Sequence, residues 1–247
     1  MNLRLAARLL RVLIHLLWGL SVCALVFPWL GHERRMVRVA RWSAQLLDIF
    51  RITVKLAPGN CTSAHGLWVA NHVSWIDIFV INALFPSRFV AKSEVRRWPL
   101  VGALSAWAGT IFVTRENRRD LRDTMAKMVA ALEAGERVVV FPEGTSCAQG
   151  AMQPFRANLF EAAIDAKVTV QPVGISYFND DGNLQSTVEY IGTTSLIDSM
   201  VAILAGKPTV ALLRMMPGLS PCSATRRDLA KRAFVAVHAD QPRCPLS

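Results

Sequence analysis

The chain has 247 residues, of which 52% are apolar, and 28 lysines and arginines against 18 acidic residues give it a formal net charge of +10. This length suits one catalytic domain with an appendage, and the apolar fraction is ample for a core. The spread of basic charge indicates an anionic partner, either a membrane surface or a nucleic acid. No aromatic-rich RNA motif, zinc-finger spacing or basic-zipper pattern is present, so we predict a membrane surface and no nucleic acid.

The cysteines are odd in number and include no C-x-x-C pair: they are Cys23, Cys61, Cys147, Cys222 and Cys244. Such a set argues against a disulfide framework and a structural zinc site, and it favours reduced thiols. We therefore expect the catalytic domain to face the cytoplasm.

The first predicted helix covers residues 12–30, which are apolar apart from His15 and flanked by arginines. About twenty such residues are enough to cross the hydrocarbon layer of a membrane. A signal peptide is the competing interpretation, but no small-x-small cleavage pattern follows and the thiols argue against export. Because basic residues flank both ends, the positive-inside rule gives no orientation.

A second helical pattern, over residues 33–52, carries a narrow polar stripe on a broad apolar surface. Such a helix is suited to the lipid interface, with its arginines at the headgroups. A buried helix of the catalytic domain fits the same pattern. We predict that residues 1–55 form a two-helix membrane-associated appendage, either spanning or dipping into one leaflet, and that residues 56–247 form the catalytic domain.

From residue 52 onward, the chain alternates predicted strands and helices, which indicates an α/β fold with a single layered domain and a mixed central sheet flanked by helices. The predicted strands are residues 52–56, 67–70, 89–91, 111–113, 138–141, 169–176, 187–191 and 209–215. The predicted helices are residues 74–84, 92–96, 100–108, 118–134, 154–165, 195–205 and 224–238. Gly135 is expected to end the long helix at residues 118–134 in a left-handed conformation.

An apolar run at residues 67–70 ends in Asn71-His72, and four residues separate His72 from Asp77. The pattern predicts a strand, a tight turn and a helix capped by Ser74. A carboxylate that holds the Nδ1–H of an imidazole fixes its tautomer, turns Nε2 outward and stabilises the imidazolium. His72 and Asp77 are therefore a candidate general base and its partner. Ser74 and Asp77 also fit a capping box, with His72 an ordinary turn residue.

Two further stretches end strands in polar residues. Residues 109–113 lead to Arg115, whose guanidinium can hold a phosphate or a carboxylate. The arginines that follow, from Arg118 on, are better explained as the solvated face of the next helix. Residues 137–141 run into Pro-Glu-Gly-Thr, a rigid turn at the sheet edge where open α/β sheets bind ligands, although the tetrapeptide alone could be a mere turn.

The strand at residues 170–176 contains Pro172. A proline inside a strand predicts an edge, a bulge or a switch point in the sheet, because proline cannot donate to the hydrogen-bond ladder. A plain core strand fits this segment at least as well.

In this order, Asn71-His72-x4-Asp77, residues 109–115, residues 141–145 and residues 170–174 resemble the four sequence blocks of the glycerolipid acyltransferases. The closest likeness is to the bacterial 1-acylglycerol-3-phosphate acyltransferases and related lysolipid acyltransferases. The resemblance covers about residues 66–177, and the HxxxxD motif followed by Phe-Pro-Glu-Gly-Thr at this separation is specific.

The resemblance implies an O-acyltransferase in which His72 removes the proton of the acceptor's free hydroxyl and Asp77 orients His72. The hydroxyl then attacks the thioester of acyl-CoA or acyl-carrier protein, with no acyl-enzyme, cofactor or metal. By the same resemblance, Arg115 holds the phosphate of the acceptor. The remaining implied substrate-binding residues are Glu143, Gly144, Thr145 and Arg156.

The product implied is phosphatidic acid, made for phospholipid synthesis from 1-acylglycerol-3-phosphate. The location implied is the bacterial inner membrane, with the catalytic domain facing the cytoplasm.

The chain departs from the family pattern where positive charge is expected. An arginine usually follows Phe-Pro-Glu-Gly-Thr, whereas Ser146 and Cys147 stand here, and a basic pair with glycine is replaced by Arg156-Ala157-Asn158. Both changes reduce positive charge near the expected phosphate site, although Arg156 can compensate. The alternative acceptor is therefore another lysolipid, such as a lyso-ornithine lipid or another lysophospholipid.

Two other classes of protein would explain part of this sequence. A metallohydrolase would use His65, His72, Asp77 and Glu143, but no His-x3-His or comparable ligand spacing is present. A noncatalytic membrane-binding protein explains the charge and the helices, yet it leaves the pairing of the two motifs without a reason.

Overall fold

The computed structural model describes residues 3–58, 65–114 and 118–239, which form a mixed seven-stranded sheet with helices on both faces. Strands β1 to β7 are Ile52–Leu56, Gly66–Ala70, Arg88–Lys92, Ile111–Val113, Arg137–Val140, Val170–Asn179 and Thr209–Met215. Helices α1 to α8 are Leu3–Leu25, His32–Phe50, Asp77–Leu84, Val101–Trp107, Arg118–Glu133, Glu161–Asp165, Leu196–Ala205 and Arg226–Ala239. The predicted α/β class with a mixed central sheet is confirmed.

The strands are ordered β1-β7-β6-β2-β5-β3-β4 across the sheet. Strands β6, β2, β5, β3 and β4 are mutually parallel, whereas β7 is antiparallel to β6 and parallel to β1. Strand β6, which contains Pro172, is therefore a switch point and not an edge. The carboxyl ends of β2 and β5 meet at one edge, so the residues after Ala70 and after Val140 come together there.

The sheet is buried on both faces, as a parallel sheet covered by helices requires. All five residues of β2 are buried. Trp68 and Ala70 face a core shared with α1, α2, α3 and α7. Leu67 and Val69 face a second core shared with α5, α6 and α8. Turns at the end of β2 are therefore anchored by a strand fixed from both sides.

Helix α1 packs against α2, α4 and α7. The His15 ring stacks on Trp42 of α2, with ring centroids 4.6 Å apart, and each side chain donates a hydrogen bond to the other's backbone carbonyl. A Cβ atom at Gly19 would lie 2.5 Å from Trp42 Nε1, so the close approach of the two helices requires glycine there. The division of the chain at residue 55 stays a prediction.

The opposite face of α1 is apolar and exposed, with Leu10, Ile14 and Trp18 more than half accessible to solvent. The helix is long and apolar enough to cross a membrane. Helix α1 begins at Leu3, earlier than predicted. It also ends earlier than predicted, because the chain forms a short 3₁₀ turn at Phe27–Trp29, which contains Pro28.

Several predicted element boundaries are wrong for identifiable reasons. Residues 187–191 form no strand: a 3₁₀ turn covers Ser186–Val188, and the Tyr190 N–H donates to the Val73 carbonyl beside the site. Ser74 caps no helix, since α3 begins at Asp77 and the Ser74 hydroxyl is buried without a described partner. Gly135, by contrast, has the predicted left-handed conformation, with φ of 76°.

Two other predicted helices are partly 3₁₀ turns. Residues 92–96 correspond to the turn Ser93–Arg97, and residues 154–165 contain the turn Ala157–Phe160 before α6.

Candidate active site

His72 and Asp77 are joined by a hydrogen bond where β2 ends at the sheet edge. His72 Nδ1 lies 2.8 Å from Asp77 Oδ2, and the His72 side chain is one-fifth exposed, whereas the Asp77 side chain is fully buried. Among the described residues, Nε2 has no hydrogen-bond partner, so it is the ring nitrogen free to meet a substrate. The structure thus brings the two predicted catalytic residues together.

Asp77 is held by donors on both carboxylate oxygens. Oδ2 accepts the backbone N–H groups of Val73 and Ser74, at 2.8 and 2.9 Å, in addition to the His72 ring. Oδ1 accepts the Tyr177 hydroxyl at 2.5 Å. Buried carboxylates are tolerated only when hydrogen-bonded in this way. The carboxylate therefore has one fixed orientation relative to the imidazole.

The Phe-Pro-Glu-Gly-Thr turn contacts both the backbone and the ring of His72. Glu143 is 2% exposed, and its Oε1 accepts the His72 backbone N–H at 2.8 Å while Oε2 accepts the Gln153 N–H at 2.7 Å. The Phe141 ring stacks on the imidazole with centroids 4.1 Å apart. The Cys147 N–H donates to the His72 carbonyl at 2.8 Å. Both carboxylate oxygens of Glu143 are thus occupied by the backbone.

Gly144, Thr145 and Arg156 lie together beside this turn. Gly144 has φ of 76°, and a Cβ atom there would lie 3.1 Å from the Arg156 guanidinium carbon. The backbone N–H of Arg156 donates to the Pro142 carbonyl, and the side chains of Thr145 and Arg156 are exposed. Arg156 is therefore a cation at the edge of the site, and its role in substrate binding stays a prediction. Arg115 lies outside the described residues.

Ser146 stands where the family pattern has an arginine, and Cys147 follows it, next to the Glu143 carboxylate. Burial, together with this carboxylate, raises the pKa of the Cys147 thiol to about 11. The thiol is thus protonated at neutral pH and is a poor nucleophile. Within the described ranges, no group of three His, Cys, Asp or Glu side chains is placed to hold a metal ion.

Some contacts of the site were not predicted from sequence. Asn71 pairs its side-chain amide with the backbone of Ile175, donating at 3.0 Å and accepting at 2.7 Å, which ties the residue before His72 to β6. Tyr177 reaches Asp77 from the same strand. Its polar tip on the apolar face of β6, shared with Val173 and Ile175, was the sequence signal that could have singled it out.

Comparisons with known proteins agree with this geometry. Residues 51–176 match the Acyltransferase family model. The chain is 33% identical over 246 residues to a lyso-ornithine lipid O-acyltransferase of Pseudomonas aeruginosa, covering 96% of this chain and 93% of that protein. It is 35% identical over 160 residues to a 1-acyl-sn-glycerol-3-phosphate acyltransferase of Neisseria meningitidis, covering 65% of this chain and 62% of that protein.

The fold is also known from a crystal structure. The 1-acyl-sn-glycerophosphate (LPA) acyltransferase PlsC from Thermotoga maritima superposes with a TM-score of 0.61 at 21% identity, covering 94% of this chain and 95% of that one. At this identity the likeness concerns the fold alone.

The mixed sheet and the family match define an acyltransferase, and the chain belongs to the Acyltransferase family. Within that family, it is an O-acyltransferase of the lysolipid type. The predicted enzyme class is confirmed.

Proposed function

We propose that His72 is the general base of this acyltransferase and that Asp77 is its orienting partner. The observation that carries this proposal is the 2.8 Å contact between His72 Nδ1 and a fully buried, fully hydrogen-bonded Asp77 carboxylate. The contact leaves Nε2 as the proton acceptor at the ligand-binding edge of the sheet.

The reaction follows from this geometry. Nε2 takes the proton of the acceptor hydroxyl as its oxygen attacks the thioester carbonyl carbon of acyl-CoA or acyl-carrier protein. The tetrahedral intermediate collapses with cleavage of the C–S bond. The departing thiolate takes the proton back from the imidazolium, giving an ester and a free thiol. No acyl-enzyme is involved, consistent with the raised pKa of the Cys147 thiol.

As acceptor, we propose the free hydroxyl of a lyso-ornithine lipid. The full-length relative from Pseudomonas aeruginosa has this activity in its name. The amino-acid headgroup carries no phosphate, which fits the absence here of the arginine that the family pattern has after Phe-Pro-Glu-Gly-Thr. The predicted acceptor 1-acylglycerol-3-phosphate is the second candidate, because Arg156 offers a guanidinium over Gly144 that suits a phosphate.

The N-terminal helices suit delivery of these lipids. One face of α1 packs on the domain, and the other exposes Leu10, Ile14 and Trp18. We propose that α1 lies in the membrane interface of the bacterial inner membrane with this exposed face in lipid, while the catalytic domain faces the cytoplasm. Basic residues then contact anionic headgroups.

The test is acyl transfer by purified protein in lipid vesicles. Labelled acyl-CoA and acyl-carrier protein are supplied with lyso-ornithine lipid and 1-acylglycerol-3-phosphate in competition, and the products are identified by mass spectrometry. His72→Ala should lower kcat by about 10²–10⁴-fold with unchanged circular dichroism. The matched control is His32→Ala, at a side chain that is 48% exposed.

Three outcomes would contradict parts of the proposal. Retention of most activity in His72→Ala removes the base assignment. Faster conversion of 1-acylglycerol-3-phosphate replaces the proposed acceptor with the second candidate. Equal activity of protein without vesicles and with them removes the interfacial role of α1.

A further inference from the structure

We infer that Tyr177 is a positioning residue of the reaction: its hydroxyl holds Oδ1 of Asp77, so that the carboxylate keeps one orientation and Oδ2 stays on the His72 ring. This inference rests on the proposed role of His72 as the base.

The geometry assigns one task to each carboxylate oxygen. Oδ2 carries three donors, from the His72 ring and the backbone N–H groups of Val73 and Ser74, whereas Oδ1 carries the Tyr177 hydroxyl at 2.5 Å. The Tyr177 and Asp77 side chains are both fully buried. Rotation of the carboxylate would break all four hydrogen bonds without water to replace them.

The backbone of Tyr177 is held by hydrogen bonds on both its N–H and its carbonyl. The Tyr177 N–H donates to the Gln149 side chain at 2.7 Å, and its carbonyl accepts the Gln185 N–H at 2.9 Å. Burial and the facing Asp77 charge raise the pKa of Tyr177 well above its usual range. The hydroxyl therefore stays protonated, and is a hydrogen-bond donor, at neutral pH.

The direction of its effect on the dyad follows. The Tyr177 hydroxyl takes up part of the negative charge of the Asp77 carboxylate, so less of that charge is left to attract a proton to His72. Without the hydroxyl, the dyad is protonated more readily, and the base is lost at a higher pH.

Within the described part of the chain, the other titratable residues bonded to the dyad are Glu143, which accepts the His72 N–H, and Cys147, whose N–H donates to the His72 carbonyl. Neither contacts Tyr177. Arg214 of β7 donates to the hydroxyl of Ser176 on β6, and Ser176 points to the opposite face of the sheet from Tyr177. The change in pH dependence is therefore specific to the lost hydroxyl.

The experiment measures kcat against pH for Tyr177→Phe, which removes one oxygen and keeps the ring. The acidic limb should move up by about one pH unit, and kcat at neutral pH should fall about tenfold, with KM for the acceptor within about twofold. Ile203→Val, in the same core cluster, is the stability control and should leave the limb in place. A Tyr177→Phe limb that coincides with wild type, with only the melting temperature lowered, overturns the inference.

A second measurement covers a variant that fails to fold. The chain has two tyrosines, so growth with 3-fluorotyrosine replaces few groups and gives a more acidic phenol at Tyr177. The stronger donor should move the acidic limb down, and an unshifted limb overturns the inference. Where Tyr177→Phe does fold, growth of this variant with 3-fluorotyrosine should leave its acidic limb in place. His72→Ala separates the two proposals: if it retains wild-type activity, the proposed base fails irrespective of the tyrosine.

Discussion

Glu143→Gln tests whether the Phe-Pro-Glu-Gly-Thr turn binds the acceptor or holds the base in place. The resemblance to glycerolipid acyltransferases implies acceptor binding, whereas both oxygens of the Glu143 carboxylate accept backbone N–H groups, of His72 and of Gln153. A glutamine keeps one acceptor oxygen and sets an NH₂ group against the second N–H. One charge-assisted hydrogen bond is lost, and one buried donor is left unpaired.

The loss should cost about 2–3 kcal/mol of unfolding free energy, which lowers the melting temperature of a chain of this size by about 5–10 °C. Because the His72 backbone loses its anchor, kcat should fall by about 10²-fold, whereas KM for the acceptor should change less than about twofold. Glu161→Gln, the same change at an exposed ion pair with Arg226, is the control and should alter neither quantity.

The assay is steady-state acyl transfer in vesicles at 25 °C, with thermal unfolding followed by circular dichroism. An unchanged kcat with a tenfold rise in KM for the acceptor would show that Glu143 contacts the lipid and would refute the reasoning.

Three further predictions concern other parts of the structure. Asp77→Asn keeps the size of the side chain but removes the charge that supports the imidazolium, so kcat should fall by at least about 10²-fold with the fold retained; near wild-type turnover would remove Asp77 from the dyad. The pKa of the Cys147 thiol is raised to about 11, so its thiolate is scarce at pH 8. Iodoacetamide should therefore label Cys147 much more slowly than the exposed Cys222 at this pH, as measured by peptide mass spectrometry. Equal labelling rates would contradict the raised pKa. Trp18→Asp on the exposed face of α1 should weaken sedimentation with anionic vesicles at least about tenfold while transfer to lysolipid in detergent persists, and unchanged sedimentation would show that this face does not meet lipid.

The catalytic pair was predictable because its two members are local. His72 and Asp77 are five residues apart, so a strand, a turn and a helix suffice to bring them together, and the pattern of residues 67–84 contains all three. Strands β1, β4 and β7 were predicted to their ends, because each is a short, largely apolar run.

The supports of that pair were not predictable from local pattern. Ser74 looked like the cap of α3, but the Asp77 carboxylate takes the backbone donors that a cap would take. Residues 187–191 have the composition of a strand, yet the Tyr190 N–H donates a hydrogen bond to the Val73 carbonyl at the site and not to a neighbouring strand. Tyr177 reaches Asp77 across 100 positions of sequence, a contact set by strand order and not by periodicity.

The strand order also dictates when activity can appear during synthesis. The imidazole and its carboxylate emerge from the ribosome early and close to each other, but Glu143 and Tyr177 follow only after β5 and β6 have been made. Contacts this distant along the chain carry a loop-closure cost and form slowly. A nascent chain that stops before β6 therefore contains His72 and Asp77 but lacks Tyr177, which holds Asp77 in place. Acyl transfer begins only when β6 has joined the sheet beside β2.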